Sequence, residues 1–198
     1  NGFAVDLDVL NDVRVEFEKE KQTLHRELQE NVKDLMGDTP INLNSPEQLS
    51  WVIYSRKPIN KTQWANDAEP YMSQDQFKRF VNQSSVPVRR TKAVKCSACR
   101  GNGTYYKRKK DGSDFKKPSK CDKCTGKGYI LNDLPKLAGL RFSAPNVNWH
   151  SANGFSTGKT NLEFLERIAK SKGMDEAVNF LSKIRRLSAV DTYLSSFV

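Results

Sequence analysis

Four cysteines constrain this chain more than any other feature. They lie in two copies of one pattern, "CSACRGNG" from Cys96 to Gly103 and "CDKCTGKG" from Cys121 to Gly128, with 21 residues between the two CxxC pairs. The 198 residues contain no other cysteine. Two CxxC knuckles present four thiolates as facing pairs, which is what a tetrahedral zinc ion takes up. We therefore expect one structural Zn2+ held by Cys96, Cys99, Cys121 and Cys124. Four thiolates leave no open position for catalysis. Gly101 and Gly126, two residues beyond the knuckles, let the backbone turn and aim N–H groups at the sulfurs. Lys95, Arg100, Lys120 and Lys123 offset the thiolate charge. Two disulfides would need an oxidising compartment, which nothing in the sequence supports. A redox CxxC usually comes as one copy at a helix start. An iron–sulfur cluster fits the ligand type, but the glycine pattern favours zinc.

The metal is expected to do the folding here. The segment around the knuckles is too hydrophilic to build its own core, and zinc–thiolate bonding contributes on the order of 10 kcal/mol in small zinc peptides. Between the knuckles, "TYYKRKKDGSDFKK" places Asp111-Gly112 among β-prone and basic residues, a hairpin-turn signal. Such a hairpin gathers Lys107, Arg108, Lys109, Lys110, Lys116 and Lys117, interleaved with Tyr105, Tyr106 and Phe115. The net charge of +10 is concentrated there: residues 86–130 carry 14 Lys and Arg against 3 Asp and Glu, while residues 1–85 are net acidic. A local basic patch of this kind points to a polyanion, most often nucleic acid. Lysines suit phosphates, and exposed aromatic rings suit sugars or bases.

The flanks are helical. Val9, Val13, Phe17, Leu24, Leu28, Val32 and Leu35 recur at helical spacing, with Asp6 or Asp8 as cap and Gly37 as stop. His25 lies among charged positions and reads as a surface residue. Ser45 is placed to cap a helix starting at Pro46, with Gln48 completing a capping box and Leu49, Val52 and Ile53 inward. Ser73 caps a shorter helix. After a loop-rich stretch, Leu162, Leu165 and Ile168 mark one helix. Val178, Leu181, Ile184, Leu187 and Val190 mark a last one. No apolar run approaches the ~20 residues that span a bilayer. "NGFAVDLDVL" lacks the charged n-region of a signal peptide. The expectation is an intracellular chain with no membrane partner, in the host-cell cytoplasm if the parent is viral. The absence of an initial Met reads as a piece of something longer.

Two resemblances follow. The doubled CxxCxGxG resembles the zinc-binding repeats of DnaJ-type chaperones over roughly 35 residues, which carry four copies and two zincs where this chain has two copies. There is no J-domain, so that resemblance implies a local fold and not chaperone function. The helical flanks resemble the thumb of a family A, DNA polymerase I type enzyme. "NGFAVD" is similar to its G-x-x-hydrophobic-D opening. Ile41-Asn42-Leu43-Asn44-Ser45-Pro46-Glu47-Gln48-Leu49 is similar to its FNxNSxxQL motif. Ser156, Thr157, Leu162 and Leu165 match its STxxxxLxxL. Thr192 and Tyr193 match the "TY" that leads into the palm.

The resemblance implies a thumb that closes over primer–template DNA and holds it by phosphates, with Asn44, Ser45 and also Asn42 at the helix start near a phosphate. The family's lysine before "TY" is replaced by Ser188-Ala189-Val190, and Lys183, Arg185 and Arg186 are the candidates to stand in for it. About 100 residues separate the "QL" and "ST" motifs, far more than in the family. Palm aspartates and an exonuclease carboxylate cluster are missing, so this chain is expected to be inactive alone. A phage parent and a gain in processivity are further expectations. Two other readings stand beside this one. In the first, the insert docks a replication protein such as a clamp, helicase or processivity factor. In the second, the chain is a stand-alone zinc-ribbon nucleic-acid binder.

The expected fold is mostly α, an antiparallel helical thumb with an inserted small module, a four-cysteine zinc ribbon with a β-hairpin. The expected layout is thumb helices over 1–56, a connecting helical segment over 57–90 and the basic zinc insert over 91–131. A loop-rich bridge over 132–155 and further thumb helices over 156–198 complete it.

Overall fold

The computed structural model describes residues 7–196, so Gly2, Val5 and the candidate cap Asp6 lie outside the described residues. The first helix, α1 (Leu7–Met36), ends where Gly37 turns into the left-handed region at φ +75°. Gly37 is needed there for a second reason: a Cβ would stand 2.2 Å from the carbonyl oxygen of Thr91. Leu24, Leu28, Val32 and Leu35 are buried as the helical spacing implies. Val9 keeps the same spacing and is 56% exposed.

The second helix, α2 (Pro46–Tyr54), starts at Ser45, whose Oγ accepts the Gln48 N–H. The expected capping box is only half formed. Gln48 Oε1 accepts the N–H of Asn42 at 2.7 Å, while the Ser45 N–H goes to the Asn42 carbonyl. Leu49, Val52 and Ile53 face inward.

The segment 57–90 folds into the main core. Strand β1 (Arg56–Pro58) pairs antiparallel with β2 (Ser85–Pro87), enclosing α3 (Lys61–Asp67) and α4 (Gln74–Ser84). Helix α4 carries the complete capping box, between Ser73 and Gln76. Trp64, Phe77 and Phe80 are buried. The Trp64 indole packs on Phe80, His150 and Phe155, and donates to the Ser151 carbonyl at 2.7 Å.

Strand β3 (Arg89–Lys95) pairs antiparallel with β6 (Tyr129–Leu137), forming a two-stranded stalk. The cysteine module sits at its far end, with β4 (Thr104–Tyr105) against β5 (Ser119–Lys120). The loop-rich bridge contains one 3-10 turn (Val147–Trp149) and a small hairpin, β7 (His150–Ser151) with β8 (Gly154–Phe155). Helices α5 (Lys159–Ser171) and α6 (Asp175–Ser196) close the fold.

Helix α6 lies antiparallel on α1. Phe17 stacks on Tyr193 at one end, and Lys183 reaches Glu27 further along. Helices take up about half of the chain. The rest includes four two-stranded antiparallel sheets among the described residues, more β structure than the mostly α expectation allowed. The buried residues form two separate clusters, one large helical core and one made of the four cysteines with Tyr105 and Ile130 against them.

Candidate metal centre and basic arm

The two knuckles repeat each other in detail. Arg100 and Gly101 adopt positive φ of 53° and 91°, and Thr125 and Gly126 repeat this at 51° and 86°. Gly103 donates its N–H to Cys99 Sγ at 3.2 Å, and Gly128 donates to Cys124 Sγ at 3.2 Å. The halves then cross-link: the Cys121 N–H meets the Gly103 carbonyl, and the Cys96 N–H meets the Gly128 carbonyl. Gly101 and Gly126 instead close turns onto the carbonyls of Cys96 and Cys121. The shortest N–H contacts to sulfur therefore come from the second glycine of CxxCxGxG, and at Cys99 the first glycine, Gly101, acts beside it as expected.

The four cysteines are buried and unpaired. Tetrahedral Zn–S bonds of about 2.3 Å would set sulfurs about 3.8 Å apart. Cys96 Sγ is 3.9 Å from Cys121 Sγ, Cys99 Sγ is 3.7 Å from Cys124 Sγ, and all four lie within 4.8 Å of one another. A disulfide needs about 2.05 Å. The four thiols are thus close enough to hold one metal ion.

The thiols also compete for ionisation. Burial works against a thiolate at Cys99, but the Gly103 and Gly101 N–H groups and the Cys124 and Cys96 thiols outweigh it and bring Cys99 down to about 7. At Cys121 the Cys124 N–H favours the thiolate. Burial and the Cys124 and Cys96 thiols oppose it more strongly and push Cys121 up to about 11. Like charges this close do not all form without a cation among them.

From this centre the hairpin projects. Arg108 and Asp114 face each other across an antiparallel β-bridge, Phe115 donates its N–H to the Lys107 carbonyl, and Gly112 turns at φ +84°. Asp111 accepts both the N–H and the hydroxyl of Ser113, which holds its carboxyl below the usual aspartate range. Lys107, Arg108, Lys109, Lys110, Lys116 and Lys117 are all exposed. Tyr105 packs on the cysteine cluster and donates to Asp122, so it belongs to the miniature core. Tyr106 and Phe115 are 56% and 49% exposed and do not.

The other candidates have internal partners. Lys183 pairs with Glu27 at 2.9 Å. Arg185 pairs with Glu163 and with the buried Glu166. Arg186 holds Glu20 through two hydrogen bonds. These three fasten α6 to α1 and α5, and a phosphate would have to displace a carboxylate from each. Asn42 Oδ1 accepts the Asn44 N–H, which fixes the approach to α2. Pro46 brings no N–H, Ser45 already holds that of Gln48, and the Glu47 carboxylate, paired with Lys61, adds negative charge there. The start of α2 is therefore a poorer anion site than its sequence implies.

No helix among the described residues is long and apolar enough to cross a membrane. Set against known protein families, curated proteins and solved structures, the chain finds no match, so its own geometry is the guide to function.

Proposed function

We propose that this chain is the DNA-gripping thumb of a family A DNA polymerase, carrying a Zn2+-held arm that extends its hold on primer–template duplex. The observation that carries the reading is the contrast in charge pairing. Among the described residues, every ion pair lies outside residues 86–130. The six hairpin cations therefore have no acidic partner and remain available to phosphates, while Lys183, Arg185 and Arg186 are engaged.

The antiparallel packing of α1 and α6 supports the thumb assignment. It brings Phe17 and Tyr193 together, so the first and last helices lie side by side as the resemblance to a thumb implies. Zn2+, when bound at Cys96, Cys99, Cys121 and Cys124, supplies the structural bonding that a hydrophilic arm cannot obtain from apolar burial. The stalk and hairpin position Lys107, Arg108, Lys109, Lys110, Lys116 and Lys117, and their effect is slower dissociation. No chemical step is assigned to this chain.

The test is duplex binding across a salt series, with zinc content measured on the same sample. The expected result is one zinc per chain and a steep fall in affinity with salt. The slope loses about 0.9 for each phosphate contact removed by reversing Lys107, Arg108, Lys109 and Lys110 to Glu. Duplex binding unchanged by that reversal would overturn the reading of the arm and turn attention to a replication protein as its partner.

A further inference from the structure

The hairpin of the arm carries two large aromatic side chains that its own fold does not bury. Tyr105 packs on the cysteine cluster, but Tyr106 and Phe115 stay half in water. Among the described residues, no ring contact and no side-chain hydrogen bond engages Tyr106. The buried clusters are the main core and the cysteine centre, and neither includes Tyr106 or Phe115. Open rings set among cations are what single-strand binders use as stacking platforms.

The hairpin register fixes what surrounds Phe115. Its N–H donates to the Lys107 carbonyl at 2.9 Å, and the Lys109 N–H donates to the Ser113 carbonyl at 2.7 Å. Arg108 and Asp114 form the bridge between these two pairs. Side chains alternate across such a ladder, so Lys107, Lys109 and Phe115 share one face and Arg108 and Asp114 take the other. The contact of Lys109 agrees: its Nζ stands over the Phe115 ring, 5.8 Å from the centroid. The ring is 49% exposed even with that lysine on it. Asp114 is thus turned away from the Phe115 face, and Asp111 is engaged by the N–H and hydroxyl of Ser113. A strand whose base lies on this ring passes its phosphates over lysines, with the bridging acid on the far side.

We infer that the Phe115 face of the hairpin binds single-stranded nucleic acid, with an unpaired base stacked on the Phe115 ring and the adjoining phosphates on Lys107 and Lys109. Tyr106 offers a second ring to the same strand. A duplex cannot use these rings in this way, because its base faces are covered by their neighbours and only their edges show in the grooves. Stacking of this kind tolerates any sequence, since every base has a π-face. The inference rests on the reading of the arm as a nucleic-acid grip and deepens it: the arm takes the unpaired strand beside the duplex.

The test is fluorescence anisotropy of the whole zinc-loaded chain with labelled oligothymidylate, which does not pair with itself, and with a blunt duplex. Zinc content and melting temperature are measured for every variant. Phe115→Leu keeps an apolar side chain and removes the ring. It should lower affinity for oligothymidylate by about tenfold, the scale of one lost base–aromatic stack, and change duplex affinity by less than about twofold. The salt slope should stay at its wild-type value, because no phosphate contact is lost. Phe115→Trp should retain the affinity, and adding Tyr106→Leu to Phe115→Leu should lower it further. The inference is overturned by oligothymidylate affinity unchanged in Phe115→Leu, by equal losses on single strand and duplex, or by a chain that binds duplex and no oligothymidylate. In each of those cases the phosphate grip stands. Reversal of Lys107, Arg108, Lys109 and Lys110 that weakens neither probe overturns the grip, and the inference falls with it.

Discussion

The glycines of the cysteine module allow a graded test, because one substitution, Gly→Ala, meets four different surroundings. Gly103 and Gly128 sit back to back across the two halves. A Cβ on Gly103 would stand 2.3 Å from the Gly126 carbonyl oxygen, and one on Gly128 would stand 2.3 Å from that of Gly101. Backbone cannot yield as a flexible side chain can, so the halves must part. That separation also strains the N–H bonds to Cys99 and Cys124 and the cross-links through Cys121 and Cys96. Gly126 and Gly112 also have positive φ, but a Cβ on Gly126 meets only the Lys120 side chain at 3.6 Å, and one on Gly112 meets nothing.

Left-handed strain alone costs about 1 kcal/mol for alanine. Forced overpacking adds about 2 kcal/mol. Metal binding and folding are one equilibrium in a module without its own core. Gly103→Ala and Gly128→Ala should therefore weaken zinc affinity by about 100-fold, and Gly126→Ala by less than about tenfold. Gly112→Ala, at the distal hairpin turn, should leave the affinity close to wild type. A chromophoric chelator in competition reads these affinities directly. Equal losses at Gly103 and Gly126 would refute the reasoning, because they would show that left-handed strain, and not the close approach of the two halves, governs the site.

Chelating the metal should raise amide exchange throughout residues 96–128 while leaving the helical circular dichroism of the main core in place, since the two buried clusters are separate. Glu166 is buried against Lys170 and Arg185. Burial raises its pKa, but the two cations prevail and hold it below the ordinary 4.5, so its contribution is present above that value and is lost as pH falls through the lowered one. Glu166→Gln should cost about 2 kcal/mol in urea unfolding at neutral pH, less than a fully buried pair because Arg185 is partly exposed, and should flatten the acid limb of the stability curve. Arg141→Gly relieves a left-handed side chain, at φ +62°, and should stabilise by about 1 kcal/mol, a rise of about 2–4 °C in melting temperature.

What the sequence discloses here depends on how local its cause is. The thiol cluster is legible because CxxC spacing fixes each pair within one turn of chain. How the two glycines share the sulfur is not, because Gly101 and Gly103 both follow Cys99 closely in the motif and only the folded halves distinguish them. The stripe Leu24, Leu28, Val32, Leu35 is legible from its period. Its end is not, since Val9 keeps the period and is yet 56% exposed. Residues 57–90 show no long period. Their aromatic anchors Trp64, Phe77 and Phe80 are few, and Trp64 finds His150 and Phe155 from a distant part of the chain. Lys183, Arg185 and Arg186 look like free cations in sequence. Glu20 and Glu27 lie on α1, far away along the chain, so pairing of this kind is invisible until α6 lies on α1.

The root of the arm bears on how strongly its lysines can act. A phosphate contact made by a loosely hinged arm carries the added cost of ordering that arm, which can cancel the gain. Here the stalk is fixed to the end of α1. The Asp38 N–H donates to the Thr91 carbonyl, Asp38 Oδ2 accepts the Ala93 N–H at 2.7 Å, and the Thr39 and Thr91 hydroxyls share a hydrogen bond of 2.7 Å. On the other side, Val88 donates to the Ser55 carbonyl and Ala138 to the Val88 carbonyl. The arm therefore leaves the core at a set angle before any ligand arrives. In the proposed grip its cations would act as a preordered group, and that ordering cost would already be met.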